Sequence, residues 1–433
     1  MILEGTVRVP GDKSIGHRAL LFSALAEGVG RVEGLGSGGD LASTRRVLEA
    51  MGVEIRNENE GLTVVGRGLR GLAEATAPLD CGNSGTTLRL LCGLLAGQTG
   101  RFVLDGDASL RRRPVRRVTR IIEAFGGRFA LPEGDHPPVE VTGAPLRGAA
   151  VHTGIASAQI KTAALLAGLV AEGPTAVTEP GPSRDHTERM LQWAGVELWR
   201  EDATVHLQPP ATLAPQRWRV PGDPSSAAFW LAAAALLPGS DLTVQGVCLN
   251  PTRTGFLDVL VAMGVDVEAV VEAEGCGERV GHIRVRGGRL LGTRVDGELA
   301  LRALDELPLV AVLGALAEGE TVVADAAELR VKESDRITAL ADGLRTLGAH
   351  IEARPDGWHI EGRTGLVGGA IEVRHDHRVA MSLQIAGLRA EGPVVLDHPE
   401  VAGVSYPGFF EALQRRLTAS QRTPAGADST EGG

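Results

Sequence analysis

The sequence predicts an α/β protein of two domains, each made of three repeated units with buried helices and outer strands. Three observations lead there: the length of the chain, an apolar helix that recurs six times, and an interior chemistry of small residues. A chain of 433 residues is too long for one ordinary core, so two domains of roughly 200 residues are expected. Hydrophobic residues at 43% and charged residues at 23% are the balance of a globular protein, whereas aromatics reach only 3% against 58 glycines. Small residues and tight turns suit that mixture better than an aromatic-filled sandwich.

The six apolar segments are Ala19–Gly28, Leu88–Gly97, Thr162–Gly173, Ala227–Gly239, Leu309–Gly319 and Val379–Gly392. Their closing glycines recur every 66 to 80 residues and are expected to be left-handed C-caps. Short β-branched runs follow, such as Thr321–Val323 and Val394–Leu396, and read as strands. A second, amphipathic helix then ends in a similar turn, as at Met51-Gly52-Val53, Ala194-Gly195-Val196, Met263-Gly264-Val265 and Leu347-Gly348-Ala349. The first helices are hydrophobic nearly all round, which marks them as interior. The sixth unit stops after a helix near Gly408–Leu417 and lacks a return strand. Gly5–Val9, which precedes every helix, is expected to fill that gap and so bring both termini into one domain.

Composition also narrows the function. No uncharged apolar run reaches the length of a membrane span, and the N-terminus opens on strand-like Ile2–Val9, so a cytoplasmic protein without a membrane role is expected. Cys81, Cys92, Cys248 and Cys276 lie far apart with no C-x-x-C spacing, and buried thiols are expected rather than a metal or disulfide framework. A net charge of −10 argues against a nucleic-acid surface. Against that acidic background the knots Arg111-Arg112-Arg113, Arg116-Arg117, Arg330/Lys332/Arg336 and His377-Arg378 stand out.

These cations, with serine, glycine and amide side chains, sit just before the apolar helices. The segments are Pro10–Arg18, Cys81–Arg89, Ala156–Lys161, Val220–Ser226, Asp305–Pro308 and His375–Arg378. Helix starts present free N–H groups and a positive partial charge, and glycine lets anionic oxygens approach the backbone. Singly, each segment also reads as a loop, a cap or a solvated face; Asp305 and Glu306, for example, could simply cap the next helix. Their recurrence at equivalent points of the repeat joins them into one anion site between the two domains.

Read in order, from about residue 5 to residue 416, the chain resembles the EPSP synthase (3-phosphoshikimate 1-carboxyvinyltransferase) family. The resemblance rests on Pro-Gly-Asp-Lys13-Ser14-Ile-x-His-Arg18, Gly-Asn83-Ser-Gly85-Thr86-Thr-x-Arg89, Arg113-Pro, Ser157-Ala-Gln159-x-Lys161 and Ser183-Arg184-Asp-His-Thr-Glu. It continues through Asp305-Glu-Leu-Pro, Arg330-Val-Lys332-Glu333-Ser-Asp-Arg336 and Asp376-His377-Arg378-x-Ala-Met. The family implies two inside-out α/β domains of threefold pseudosymmetry that close over two small-molecule substrates, with no cofactor and no metal. Its activity is transfer of the enolpyruvyl group of phosphoenolpyruvate to the 5-hydroxyl of shikimate 3-phosphate.

Carried over by motif, Lys13, Ser14, Arg18, Ser157, Arg184, Asp305 and Lys332 would hold shikimate 3-phosphate. Lys13, Gly85, Arg113, Gln159, Arg336 and Arg378 would hold phosphoenolpyruvate. Asp305 is assigned to the hydroxyl proton, and Glu333 with Lys13 to the proton at C3. The family layout puts crossovers at Pro10–Gly11 and Pro221–Gly222. Domain I would then take residues 1–11 and 222–433, and domain II residues 12–221, with 418–433 a disordered tail and the protein a monomer.

Departures are visible too. Val401–Pro407 contains no lysine where many members carry one, while Leu90 and Ala158 match the second class of the family. The sister enzyme, UDP-N-acetylglucosamine enolpyruvyl transferase, is the nearest alternative. It typically carries Lys-Asn near its N-terminus and a loop cysteine, and Lys13-Ser14 and Ser109–Arg113 provide neither. RNA 3′-phosphate cyclases share repeats of this unit, but His398 lies in a turn-like Asp-His-Pro, and sparse aromatics fit RNA poorly.

Overall fold

The computed structural model describes residues 1–417; the tail expected to be disordered lies outside them. In chain order the first half holds α1 (Lys13–Leu25), α2 (Gly39–Ala50), α3 (Gly85–Leu95), α4 (Arg116–Glu123), α5 (Ala158–Leu169) and α6 (His186–Trp193). The second half holds α7 (Pro224–Leu236), α8 (Gly255–Ala262), α9 (Gly297–Arg302), α10 (Leu307–Ala315), α11 (Arg336–Thr346), α12 (His377–Ala386) and α13 (Phe409–Arg416). The expected apolar helices are α1, α3, α5, α7, α10 and α12. Every residue of α7 and α10 is buried, because Ala, Leu and Val occupy all their faces.

Buried apolar residues fall into two clusters. One surrounds α1, α3 and α5 and runs from Ile15 to Val220, with Cys248 and Cys276 added. The other surrounds α7, α10 and α12 and takes Leu3 and Val7 together with residues from Ala227 to Leu413. Strands wall both. Around four buried helices, the strand before the helix lies parallel to the strand after it. Leu79–Asp80 pairs with Arg101–Asp105 about α3, Ala150–His152 with Thr175–Thr178 about α5, Arg294–Val295 with Glu320–Val323 about α10, and Gly369–Ile371 with Val394–Leu396 about α12.

The other two units exchange that strand. Glu4–Arg8, which precedes α1, pairs with Asp241–Cys248 after α7, and Arg217–Arg219, which precedes α7, pairs with Val29–Glu33 after α1. Each core therefore keeps three parallel strand pairs although the chain passes between the cores twice. This corrects one expectation: the N-terminal strand completes the fourth unit, not the sixth. The sixth keeps a two-stranded sheet, because α13 is followed by no hairpin among the described residues.

Two Val-Pro-Gly-Asp turns make the passage side by side. Asp12 N–H donates to the Pro221 carbonyl at 2.7 Å, and Asp223 N–H donates to the Pro10 carbonyl at 2.9 Å. The buried Arg253 then binds both aspartates, at 3.0 Å to Asp12 and 3.3 Å to Asp223. Two carboxylates taken out of water at one crossover need such a countercharge.

The glycine reading divides. After the amphipathic helices the left-handed cap is present: Gly52 has φ +84°, its N–H reaches Glu49 O at 3.0 Å, and Val53 N–H reaches Leu48 O at 3.1 Å, a Schellman closure. After the buried helices other than α3 the glycines lie further on, and Gly97, directly after the cap of α3, and Gly392 are not left-handed. Gly97 answers to packing instead, since a Cβ there would lie 2.3 Å from Val170.

Tight contact between α3 and α5 has the same origin. A Cβ at Gly93 would come within 2.0 Å of the Ala163 carbonyl, so Gly93→Ala must push two buried helices apart. We expect it to cost about 1–3 kcal/mol, read as a lowered denaturation midpoint; an unchanged midpoint would contradict the close packing. Burial also pushes the imidazole of His17 down to about 3 and that of His377 down to about 4. Unfolded, each would titrate near 6.5, so the unfolded chain binds more protons below that pH. Stability is then full above about pH 6.5 and declines as the pH falls towards 4, by up to about 1.4 kcal/mol per pH unit for each histidine. Melting curves from pH 7.5 to 5 test this, and a flat profile would contradict it.

Candidate active site

Helix starts were expected to offer free amides, and the structure changes that picture. Asp12 caps α1 through Ile15 N–H, Ser84 caps α3 through Thr87 N–H, Asp223 caps α7 through Ser225 N–H, and Asp376 caps α12 through Arg378 N–H. Asp223 also accepts from Lys13 N–H at 3.1 Å. Three of these caps are carboxylates, so positive potential at the junction comes chiefly from side-chain cations. Glu306 occupies the cap position of α10 without a capping bond; its carboxylate instead accepts from Ser225 Oγ.

Two acidic residues of the second core collect these cations. Asp305, just ahead of α10, accepts from Arg184 of the first core at 2.6 Å, with Arg378 at 3.6 Å and Arg336 at 3.8 Å. Arg378 also donates to the Asp305 carbonyl at 2.9 Å. Glu333, in the loop before α11, binds Arg336 and stands 3.9 Å from Arg113 of the first core. Arg336 is almost wholly buried and is fixed from behind by Asp376 at 2.9 Å. Lys13 binds Asp40 at 2.9 Å while also lying in the fields of Glu333 and Arg378. Lys13, Arg113, Arg184, Lys332, Arg336 and Arg378 thus share one electrostatic cluster drawn from both cores.

Charge states follow from those contacts. Burial alone would raise the carboxyl of Asp305, yet Arg378, Arg184, Lys332 and Arg336 together hold it well below the usual carboxylate range. Burial opposes ionisation of Glu333 as well, and Arg336, His377, Arg113 and Lys13 overcome it. For Lys13, desolvation would lower the ammonium, but Asp40 and Glu333 raise it on balance. Lys332 goes the other way, lowered first by burial despite Asp305. Both acids are therefore ionised at neutral pH, and Lys13 is protonated.

Around this centre, Gln159 bridges helices, accepting from Arg89 at 2.8 Å and donating to Thr86 at 2.9 Å. Gly85 opens α3 beneath Arg89 and Arg113, whose guanidinium nitrogens would lie 3.0 and 3.4 Å from an added Cβ. Its N–H bonds to the Asn83 carbonyl. Arg18 donates to Thr187 and Thr162, each at 2.7 Å, and to the Ser14 carbonyl at 2.8 Å. Ser157 heads α5 with its N–H on Glu179. Arg330 does not join: it holds the Arg354 and Pro355 carbonyls and Asp335. Arg111 and Arg112 are exposed, whereas Arg113 turns inward.

Several participants were given no role from the sequence. Asp40 lies in an ordinary amphipathic helix. Asn83 and Arg89 were named within a motif without a role, and Arg253 stood alone. A small pocket at the junction is lined by Lys13, Asp40, Ser225, Arg378, Val404 and Ser405. The segment lacking the lysine therefore faces the junction, where Lys13 and Arg378 already stand.

The four cysteines are buried and unpaired, as expected. One group among the described residues, His186, Cys248 and Glu278, has metal-ligand types within 4.8 Å of one another. His186 Nδ1 lies 2.6 Å from Glu278, which also accepts from Asn250 at 2.9 Å. Arg18, Arg184 and Arg253 add positive charge around the histidine, which favours this hydrogen-bonded pair over a cation. No helix among the described residues is long and apolar enough to cross a membrane.

Comparison with known proteins agrees with the geometry. Residues 2–413 match the family described as EPSP synthase (3-phosphoshikimate 1-carboxyvinyltransferase). A 3-phosphoshikimate 1-carboxyvinyltransferase of Synechococcus sp. (strain WH7803) is 51% identical over 420 residues, 95% of this chain and 96% of that one. One from Herpetosiphon aurantiacus is 49% identical over 413 residues, covering 94% and 96%. The solved structure of EPSP synthase from Acinetobacter baumannii superposes with a TM-score of 0.86 at 41% identity, over 96% of each chain. Its fold class is that of two inside-out α/β domains. With motif, architecture and half-identical relatives all spanning nearly the whole length, the chain belongs to the EPSP synthase (3-phosphoshikimate 1-carboxyvinyltransferase) family.

Proposed function

We propose that this protein transfers the enolpyruvyl group of phosphoenolpyruvate to the 5-hydroxyl of shikimate 3-phosphate, releasing phosphate. The observation that carries the site reading is the pair of contacts between cores, Arg184 with Asp305 and Arg113 with Glu333. They bring cations of the first half to the two acids of the second half that are assigned to proton transfer. Residues 12–221 form one closing lobe in this reading, and residues 1–11 with 222–433 the other. A single chain supplies every assigned residue, which suits a monomer, and four unpaired cysteines suit the reducing cytoplasm.

Shikimate 3-phosphate is assigned to Lys13, Ser14, Arg18, Ser157, Arg184, Asp305 and Lys332. Phosphoenolpyruvate is assigned to Lys13, Gly85, Arg113, Gln159, Arg336 and Arg378. Guanidinium forks take carboxylate and phosphate oxygens in pairs, and the compact Lys13 ammonium can serve both substrates. The acceptor hydroxyl adds to C2 of phosphoenolpyruvate as its proton passes to Asp305, while C3 takes a proton from Lys13 with Glu333 beside it. In the tetrahedral adduct a proton then returns from C3 to Lys13, the C2–O bond to phosphate breaks, the double bond re-forms, and the hydroxyl proton held by Asp305 leaves with the phosphate.

A carboxylate held as low as Asp305 is a weak base. Substrate anions that engage Arg184 and Arg378 loosen that hold and raise its basicity when the hydroxyl arrives. Phosphate release from phosphoenolpyruvate should therefore require shikimate 3-phosphate, and Asp305→Asn should still bind it while losing about a hundredfold or more in turnover. Release supported only by UDP-N-acetylglucosamine would overturn the acceptor, and full turnover by the variant would remove Asp305 from the mechanism.

A further inference from the structure

We propose that Lys161 is a positioning residue for the acceptor, fixing the groups that hold shikimate 3-phosphate from beneath without touching it. The inference rests on the site assignment given above. None of the Lys161 side chain is exposed, and its ammonium lies 2.8 Å from Glu179 and 2.7 Å from Glu188. Lys161 ends the motif that begins at Ser157, and Glu188 ends the motif that begins at Ser183 and Arg184. The two motifs are thus joined through a buried ion pair that the chemistry does not use.

Each arm of this trio reaches the acceptor side. The other oxygen of Glu179 accepts from Ser157 N–H at 3.2 Å and from Ser183 Oγ at 2.7 Å, holding the start of α5 and the residue before Arg184. Beside the Lys161–Glu188 pair, Thr162 and Thr187 bond to one another at 2.6 Å, and these are the two hydroxyls that grip Arg18. Arg18, Ser157 and the Arg184 loop therefore depend on one seam between α5 and α6. Groups assigned to phosphoenolpyruvate are anchored elsewhere, Gln159 by Arg89 and Thr86 and Arg113 by Asn83.

One ammonium between two carboxylates makes the seam sensitive. Burial already pushes the Glu188 carboxyl up, and Lys161 is the main group that opposes this. Removing the ammonium leaves two acids facing each other without water, so they separate or take up a proton, and Ser157 and Ser183 move with Glu179. A merely structural ion pair would lower stability and leave the balance between substrates unchanged.

Steady-state kinetics of the full-length protein decide between these. Lys161→Met should raise KM for shikimate 3-phosphate about tenfold or more, with KM for phosphoenolpyruvate within about twofold. Should that variant not fold, Lys161→Met/Glu188→Gln keeps the formal charge of the native trio while still freeing Glu179, and the same split is expected. Arg18→Met, measured alongside, tests the site assignment itself. If it raises the acceptor KM while the folded Lys161 variants do not, or while they raise both KM values equally, the positioning role is overturned. If Arg18→Met leaves the acceptor KM unchanged, the assignment on which the role rests fails with it.

Discussion

Everything at the junction depends on carboxylates of one core holding guanidinium groups of the other. Asp305 with Arg184 and Glu333 with Arg113 cross the gap between two separately packed interiors. Such pairs are costly to bury, and they contribute only where geometry and further partners compensate the lost hydration. Here the compensation is mutual: Arg336 is locked by Asp376 and Glu333, Arg378 by Asp305, and Lys13 by Asp40. Cations kept charged and aimed before any anion arrives spare the reaction the reorganisation that water would require.

The fold makes that meeting possible by an exchange. Each core is a closed set of buried helices walled by strands, with no reason of its own to face the other. Swapping one strand between the first and fourth units binds the cores at two adjacent Pro-Gly turns, and Arg253 ties their aspartates together. Those same aspartates cap α1 and α7, and Asp223 also takes the amide of Lys13. Crossover and site are therefore continuous: the aspartate at the second Pro-Gly turn also holds the backbone of Lys13.

Much of this was legible in the chain. Helices apolar on every face announce a core, and their regular spacing announced six units and the three-and-three split. Lys13, Arg113, Lys332 and Arg378 stood at helix starts and knots of charge, and all four are found in one electrostatic cluster. What escaped had physical reasons. A strand such as Glu4–Arg8 carries no mark of which sheet it will join, so the unit it completes, the fourth and not the sixth, could not be read. Helix starts were read as free amides, but Asp12, Asp223 and Asp376 sit one residue ahead and occupy them. Asp40 acts through Lys13, and Arg253 through Asp12 and Asp223, all distant in the chain, and no local pattern signals that.

If both lobes aim their cations at one pocket, two phosphorylated acids must lie there together. A crystal structure of the complex with shikimate 3-phosphate and a non-reacting analogue of phosphoenolpyruvate tests it most directly. Adjacent ligands are expected, one against Arg18 and Lys332 and the other against Arg113 and Arg378, with Lys13 between them and Asp305 at the acceptor hydroxyl. Ligands bound on separate faces, or held by one lobe alone, would contradict it.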